Sequence, residues 1–200
     1  MELITYLKTF GIEKLQEEYD IKAIYSLKFP ELVALCYEHT KTPKNAITNE
    51  CRGIVLNKNT FEIIAYPFTR FGDYEPKKET NFDFSNFKCF DKIDGTLISL
   101  YFYGDQWNIA TKSMPDGRGK IFELDKTYEQ LFWEIWDENG LDMPIHKDFT
   151  YIFELKYPSN RQFITQTKNK TIHLIGLRNI RTFEEMDVEE ALKANMIPQW

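Results

Sequence analysis

The stretch Lys92-Ile93-Asp94-Gly95-Thr96-Leu97 places a lysine two residues before an aspartate and a glycine, within an apolar segment that predicts a β-strand. A lysine held at the floor of a pocket can lose its proton and attack a carbonyl or phosphorus atom, whereas an exposed lysine stays protonated. Gly95 would let the backbone approach a bound ligand closely. Asp94 offers a partner for the ammonium group or a metal ion. Three such residues at fixed offsets occur by chance in roughly a few per cent of chains of this length, so the interpretation depends on the surrounding sequence.

The composition bounds the class of protein. Two hundred residues fit one domain, and 42% hydrophobic with 16% aromatic residues suffice for a core. With a net charge of −6, a surface for RNA or DNA has to be a local patch on an acidic body. Cys36, Cys51 and Cys89 are widely spaced, which favours reduced thiols in a cytoplasmic compartment. The sequence shows no export signal and no segment near membrane-spanning length, so we expect no membrane partner.

Hydrophobic periodicity and turn residues predict an α+β chain with antiparallel sheets and flanking helices. The chain is expected to begin with a helix over residues 2–19, interrupted at Gly11, followed by a strand at Leu32–Tyr37 and a polar loop at 39–49. A hairpin of strands 53–56 and 61–66 should come next, and then a polar loop at 81–86 that leads into the Lys92 strand. The second half is expected to contain a hairpin of strands 98–103 and 107–111, a flexible loop at 116–120, and a helix over 124–139 that ends at Gly140. Strands at Phe149–Lys156 and Thr171–Asn179 and a last helix near 183–194 should follow. Strand runs without regular βαβ alternation indicate antiparallel pairing.

Five segments of the chain together indicate a specific chemistry. They are Glu-Cys-Arg-Gly-Ile at 50–54, Pro-Phe-Thr-Arg-Phe at 67–71, Lys-Ile-Asp-Gly at 92–95, Ala-Thr-Lys-Ser at 110–113, and Phe-Glu-Leu at 153–155 followed by Pro-Ser-Asn-Arg at 158–161. In order, spacing and flanks, these segments resemble the adenylyltransferase domain of ATP-dependent RNA ligases, in particular the RNA ligase 1 type of T-even bacteriophages. The resemblance covers residues 50–179.

The resemblance implies a nucleotidyltransferase fold and a reaction in three steps. The motif lysine attacks the α-phosphorus of ATP, AMP then passes to an RNA 5′-phosphate, and a 3′-hydroxyl displaces AMP to seal the strand. We therefore expect ATP and Mg²⁺ as cofactors. The expected partner is RNA with 5′-phosphate and 3′-hydroxyl ends, with tRNA repair as the setting known from the phage enzymes. The first step requires an uncharged amine, cations against the triphosphate and a divalent metal.

The resemblance assigns roles to eight residues. Lys92 matches the nucleophile, and nearby cations and Mg²⁺ would lower its pKa because like charge disfavours the protonated form. Seven residues are predicted to bind the nucleotide, and two of them, Asp94 and Glu154, are also predicted to bind the metal. The seven are Arg52, Arg70, Phe71, Asp94, Gly95, Lys112 and Glu154.

The residue types suit these roles. The guanidinium of Arg52 can bind phosphate through two parallel hydrogen bonds. Arg70 stands where the phage enzyme carries lysine, so the charge is kept while the geometry differs. On a period-two strand, Glu154 points opposite to Phe153 and Leu155 and can face a polar pocket.

Structural alternatives stay open at this point. They are solvated side chains for Lys92 and Lys112, an ion pair of Arg52 with Glu50, core packing of Phe71, a turn-capping role for Asp94, and a solvent-facing Glu154. Two other functions also stay open: a DNA ligase or capping-type nucleotidyltransferase, and a non-catalytic nucleotide- or RNA-binding module. The segments at 50–53 and 153–161 favour the RNA ligase branch. Covalent labelling by ATP would separate an enzyme from a binding module.

The resemblance also defines an expectation about the domain. The family continues with a Glu-Gly motif and a Lys-x-Lys motif on later strands, and the sequence matches neither before Trp200. We therefore expect residues 1–200 to form one adenylyltransferase domain that is incomplete at its C-terminal end, as part of a longer ligase or as a shortened relative. Without the late lysines, this chain by itself is expected to seal RNA poorly.

Overall fold

A computed structural model of the chain describes residues 1–72, 85, 88–158 and 169–197. The described helices are α1 (Glu2–Tyr19), α2 (Ala46–Glu50), α3 (Tyr128–Glu138) and α4 (Val188–Lys193). The described strands are β1 (Ile21–Tyr25), β2 (Leu32–Tyr37), β3 (Arg52–Asn57), β4 (Ile63–Ala65), β5 (Thr96–Tyr103), β6 (Gln106–Thr111), β7 (Lys120–Ile121), β8 (Lys126–Thr127), β9 (Phe149–Lys156), β10 (Thr171–Asn179) and β11 (Glu185–Met186). Most of the predicted loop at 81–86 and most of the segment at 158–161 lie outside the described residues.

The strands form two main antiparallel sheets. The first has the order β1-β2-β3-β4 and the second the order β11-β10-β9-β5-β6, with a separate β7-β8 pair. Every pair between described strands is antiparallel. The predicted α+β class with antiparallel sheets is therefore confirmed, and so are the two hairpins, β3-β4 and β5-β6.

Helix α1 covers one face of the first sheet. Leu3, Leu7 and Leu15 are fully buried there against side chains of the sheet. The predicted break is present, since Gly11 has φ +82° and ψ 177° inside the helix. Phe10 is 59% exposed, at the point where the helix loses its regular phase beside this glycine.

Helix α3 packs against the second sheet through its apolar face, whose residues recur at helical spacing in the sequence. Its buried side chains are Leu131, Phe132, Ile135 and Trp136. The helix begins at Tyr128 rather than near residue 124, because the Thr127 hydroxyl accepts the amide of Gln130 in a capping box. It ends before Gly140, whose φ of +60° suits a glycine after a helix C-terminus.

The two sheets pack against each other through a small buried core from β2, β3, β4, β5 and β6. At one end of this contact, β3 lies directly against the residue that follows β6. A Cβ at Gly53 would lie 2.8 Å from the carbonyl oxygen of Lys112, and Gly53 has φ +87°. Only glycine fits this close approach, which brings the start of β3 next to Lys112.

Three predicted boundaries differ in the structure. The strand expected around Lys92 begins only at Thr96, and residues 88–94 have no regular secondary structure. The loop expected at 39–49 contains the start of α2, which Asn45 caps. The last helix begins at residue 188, because the Asp187 carboxylate accepts the backbone amide of Glu190 in a capping box.

The predicted flexible loop at 116–120 is packed. The buried Asp116 carboxylate accepts hydrogen bonds from the Ser26 hydroxyl at 3.0 Å and from the Leu27 amide at 2.8 Å. A Cβ at Gly117 would lie 2.2 Å from the Ile109 side chain. These contacts fix the loop that follows Lys112.

None of the described helices is long and apolar enough to cross a membrane.

Candidate active site

A cleft of about 860 Å³ lies where the second sheet meets the first. All five strands of the second sheet contribute to it, as does the start of β3. The lining residues are Arg52, Phe68, Phe71, Phe90, Asp91, Lys92, Ile93, Gly95, Thr96, Leu97, Thr111, Lys112, Ser113, Tyr128, Glu154, Ile175 and Glu185. Segments that are far apart in the sequence therefore meet in one cavity.

Most of the predicted site residues come together in this cleft. Six of the eight line it: Arg52, Phe71, Lys92, Gly95, Lys112 and Glu154. Asp94 adjoins the cleft through an ion pair with Lys92. Arg70 is not part of the lining and lies nearby, against the ring of Tyr37.

Lys92 lies at the mouth of the cleft. Its side chain is 84% exposed, and its ammonium group pairs with the mostly buried Asp94 carboxylate. The sequence predicts a lysine at the floor of a pocket, so the observed position differs from the prediction. The difference follows from the backbone, because Lys92 precedes the sheet instead of lying on a paired strand.

Gly95 joins the Lys92 segment to the sheet at a point where a side chain has no room. A Cβ on Gly95 would lie 2.4 Å from the carbonyl oxygen of Leu155. Its backbone amide donates a hydrogen bond to the Glu154 carboxylate. The glycine therefore sets the distance between Lys92 and the strand that carries Glu154.

Glu154 projects from β9 into the cleft, while its neighbours Phe153 and Leu155 are buried in the core on the other face. This is the orientation that the period-two pattern predicts. Burial raises the pKa of Glu154 to about 7, although the Gly95 amide and the charges of Lys92 and Arg52 oppose this rise. Glu154 thus changes its charge near neutral pH.

Arg52 presents an unsatisfied guanidinium group. Its Nη1 atom is buried without a hydrogen-bond partner in the described part of the chain, and its Cζ atom lies 4.6 Å from the ring centroid of Phe71. The alternative ion pair with Glu50 is wrong, because that carboxylate accepts the amide of Leu3 on α1 at 3.0 Å. A buried guanidinium nitrogen without a partner is costly and is available to an anion.

Two cations, Arg70 and Lys112, lie against the ring of Tyr37. The Cζ atom of Arg70 lies 4.2 Å and the Nζ atom of Lys112 lies 4.1 Å from its ring centroid. Arg70 also donates to the carbonyl oxygen of Thr42 at 3.2 Å. No motif indicated Tyr37, since its role depends on contacts between strands that are distant in sequence.

Other lining residues were not predicted. Phe68 packs so closely on Gly176 that a Cβ there would lie 2.8 Å from the ring. Glu185 pairs with the buried Arg178, and Tyr128 comes from the start of α3. Phe68 belongs to a quoted motif and Phe90 lies two residues before another, so their sequence positions were usable signals.

The predicted metal site consists of few ligands. Within the described ranges, no group of three or more His, Cys, Asp or Glu side chains is placed to hold a metal ion. Mg²⁺ is usually held by one or two carboxylates together with substrate phosphates and water. Asp94 and Glu154 match that mode in kind and number.

The mixed α+β architecture with antiparallel sheets is consistent with an RNA ligase domain. A family model described as RNA ligase matches residues 50–198. The chain therefore belongs to this RNA ligase family.

Individual relatives agree with the family. The chain is 28% identical over 181 residues to an RNA ligase of Rhodothermus phage RM378, covering 72% of this chain and 41% of that protein. It is 25% identical over 195 residues to a putative bifunctional polynucleotide kinase/RNA ligase of Autographa californica nuclear polyhedrosis virus, covering 86% of this chain and 27% of that protein. It is also 25% identical over 146 residues to a putative RNA-ligase of African swine fever virus, covering 70% of this chain and 31% of that protein. The chain spans less than half the length of each of these relatives.

Proposed function

We propose that this chain is the adenylyltransferase domain of an ATP-dependent RNA ligase of the RNA ligase 1 type, with a nucleotidyltransferase fold. The observation that carries the proposal is the meeting of Lys92, Arg52, Lys112 and Glu154 in one cleft. These residues come from four separate motifs. A lysine, two further cations and a carboxylate are the groups that transfer of a nucleotidyl group to an amine requires.

The cleft can accommodate ATP as substrate. The Nη1 atom of Arg52 lacks a partner within the described chain, and Lys112 adds a second positive charge. Both are suited to bind phosphate oxygens. The aromatic rings of Phe68 and Phe71 offer apolar surface for the base, and Glu154 can accept hydrogen bonds from ribose hydroxyls. The cleft volume of about 860 Å³ falls within the usual range for small-molecule sites.

Lys92 is the proposed nucleophile. Its Nζ atom forms a bond to the α-phosphorus, the bond from that phosphorus to the bridging oxygen breaks, and pyrophosphate leaves with the electron pair. Asp94 contacts the ammonium group and is placed to accept its proton. Asp94 and Glu154 would hold Mg²⁺, which supplies charge neutralisation at the phosphates when bound.

The RNA substrate completes the proposed reaction. AMP passes from Lys92 to a 5′-phosphate end, and a 3′-hydroxyl end then displaces it, with tRNA as a candidate substrate. We place this reaction in the cytoplasm. The free state of Cys36, Cys51 and Cys89 supports that setting, since a reducing compartment keeps thiols unpaired.

Incubation with ATP radiolabelled at the α-phosphate and Mg²⁺ tests the proposal. The chain should become covalently labelled, and added pyrophosphate should remove the label by reversal of the step. Lys92→Arg keeps the charge but removes the nucleophile, so it should remain unlabelled. Nucleotide binding without any labelling would instead favour a non-catalytic binding module.

A further inference from the structure

The segment that carries Lys92, residues 88–95, is held at both ends. At its start, the Lys88 ammonium group pairs with Asp187 and, at 2.8 Å, with Glu190 in the capping box of α4. At its end, Gly95 is packed so closely on β9 that a Cβ would lie 2.4 Å from a backbone oxygen. The residues between these two points are therefore presented in a defined place at the cleft.

Phe90 is exposed within this segment. Its side chain is 67% exposed, although it lines the same cleft as Lys92. The described part of the chain places no aromatic ring or cation against Phe90. An exposed aromatic ring at the mouth of a cleft offers a face on which a bound ligand can pack.

Phe71 differs from Phe90 although its exposure, 70%, is similar. The guanidinium of Arg52 lies on the Phe71 ring, with its Cζ atom 4.6 Å from the centroid. Phe71 therefore contacts Arg52, the group that is proposed to bind the phosphates of ATP. Within the described part of the chain, no such contact covers Phe90, and its ring can receive a second ligand.

The position of Phe90 indicates which ligand this is. Under the proposed function, an RNA 5′-phosphate must reach the AMP on Lys92, so the terminal nucleotide of that RNA lies beside Lys92. Phe90 lies two positions before Lys92, so their Cα atoms are at most about 7 Å apart. The Phe90 ring is therefore within reach of that nucleotide. Aromatic side chains stack on bases of single-stranded RNA ends, and every base offers a π-face.

We propose that Phe90 is the stacking surface for the terminal base at the 5′-phosphate end of the RNA substrate. This inference rests on the proposed function, since it takes Lys92 as the acceptor of AMP. In this proposal, the Phe90 ring stacks on a base of the RNA and not on the adenine of ATP. Because stacking reads no base edge, the site should tolerate any of the four bases.

The test combines a change in the protein with a change in the RNA. Affinities are measured by fluorescence anisotropy for a 5′-phosphorylated single-stranded RNA and for the same RNA with an abasic terminal nucleotide. On the wild-type chain, loss of the base should weaken binding about 5- to 100-fold. On Phe90→Ala, the two RNAs should bind alike, whereas Phe90→Trp should restore the difference. Phe122→Ala is the matched control, because Phe122 is 80% exposed and lies outside the cleft.

Two results would overturn the inference. The first is an equal preference for the base-bearing RNA on the wild-type chain and on Phe90→Ala. The second is a loss of ATP affinity in Phe90→Ala as large as its loss of RNA affinity, because Phe90 would then serve the adenine. Failure of the proposed function is recognised separately, as absence of ATP-dependent labelling of Lys92 in the wild-type chain.

Discussion

Replacing Glu154 with glutamine should make the nucleotide-free protein less sensitive to pH. Burial raises the pKa of Glu154 to about 7 in the folded chain, whereas an unfolded chain has a value near 4.3. Because the folded pKa is the higher one, the folded state binds more protons between these values. The stabilisation is fully present below about pH 4.3 and is lost as the pH rises to about 7.

The structure sets the size of this effect. One pH unit corresponds to about 1.4 kcal/mol, which gives an upper limit of about 3 to 4 kcal/mol for ionising Glu154 in the folded state. The carboxylate is only partly buried, so water screens it and we expect about 1–2 kcal/mol. Glu154→Gln removes the ionisation while keeping the shape of the side chain.

Urea unfolding at pH 5, 6, 7 and 8, without nucleotide or metal, measures this difference. From pH 5 to pH 8, the free energy of unfolding of wild type should fall by about 1–2 kcal/mol relative to Glu154→Gln. Glu13→Gln, at an exposed position of α1, is the matched control and should follow wild type. Parallel pH curves for wild type and Glu154→Gln would refute the reasoning that burial controls this carboxylate.

Three further substitutions and one control variant test other contacts of the site and the fold. Arg52→Ala should lower ATP affinity about 10- to 100-fold by calorimetry, since it removes a charge-assisted contact; unchanged affinity would contradict its placement. Gly95→Ala forces a Cβ against the Leu155 carbonyl, so it should cost about 1–3 kcal/mol of stability and impair labelling. Gly140→Ala, where a Cβ meets nothing within 4 Å, should cost only about 1 kcal/mol for its backbone conformation and leave labelling intact. Asp116→Ala should lower the free energy of unfolding by about 2–4 kcal/mol, because it leaves the buried Ser26 hydroxyl and the part-buried Leu27 amide without their acceptor; a loss below about 0.5 kcal/mol would show that these hydrogen bonds do not hold the loop.

Strong periodicity explains what the sequence predicts well. The strands Phe149–Lys156 and Thr171–Asn179 are observed with the predicted bounds, because each is a run of β-formers between turn residues. The buried face of α3 also matches, since four large apolar side chains recur at helical spacing. In these elements the local pattern and the tertiary packing favour the same structure.

The segment around Lys92 shows why other parts could not be predicted. Its apolar residues resemble a strand, yet Ile93 lines the cleft and a second, apolar pocket instead of pairing with a neighbouring strand. Pairing with β9 starts only at Thr96, after the close contact of Gly95. The exposed position of Lys92 is set by these tertiary contacts, which local propensity does not contain.

The electrostatic details of the site depend on contacts between distant strands. Spacing in the sequence identifies Arg70 and Lys112 as cations, but not that both contact the ring of Tyr37. It identifies Glu154 as facing away from the core, but not the burial that raises its pKa. Motifs therefore predict which residue types come together in the cleft, while packing determines their charge state and their contacts.

The central claim is that Lys92 accepts AMP. The most direct test is the intact mass of the chain before and after incubation with ATP and Mg²⁺, followed by peptide mapping. Wild-type protein should gain the mass of one AMP, mapped to Lys92, and Lys92→Arg should gain none. An adduct on another lysine, such as Lys112, or an unchanged mass in wild-type protein that binds ATP, would contradict it.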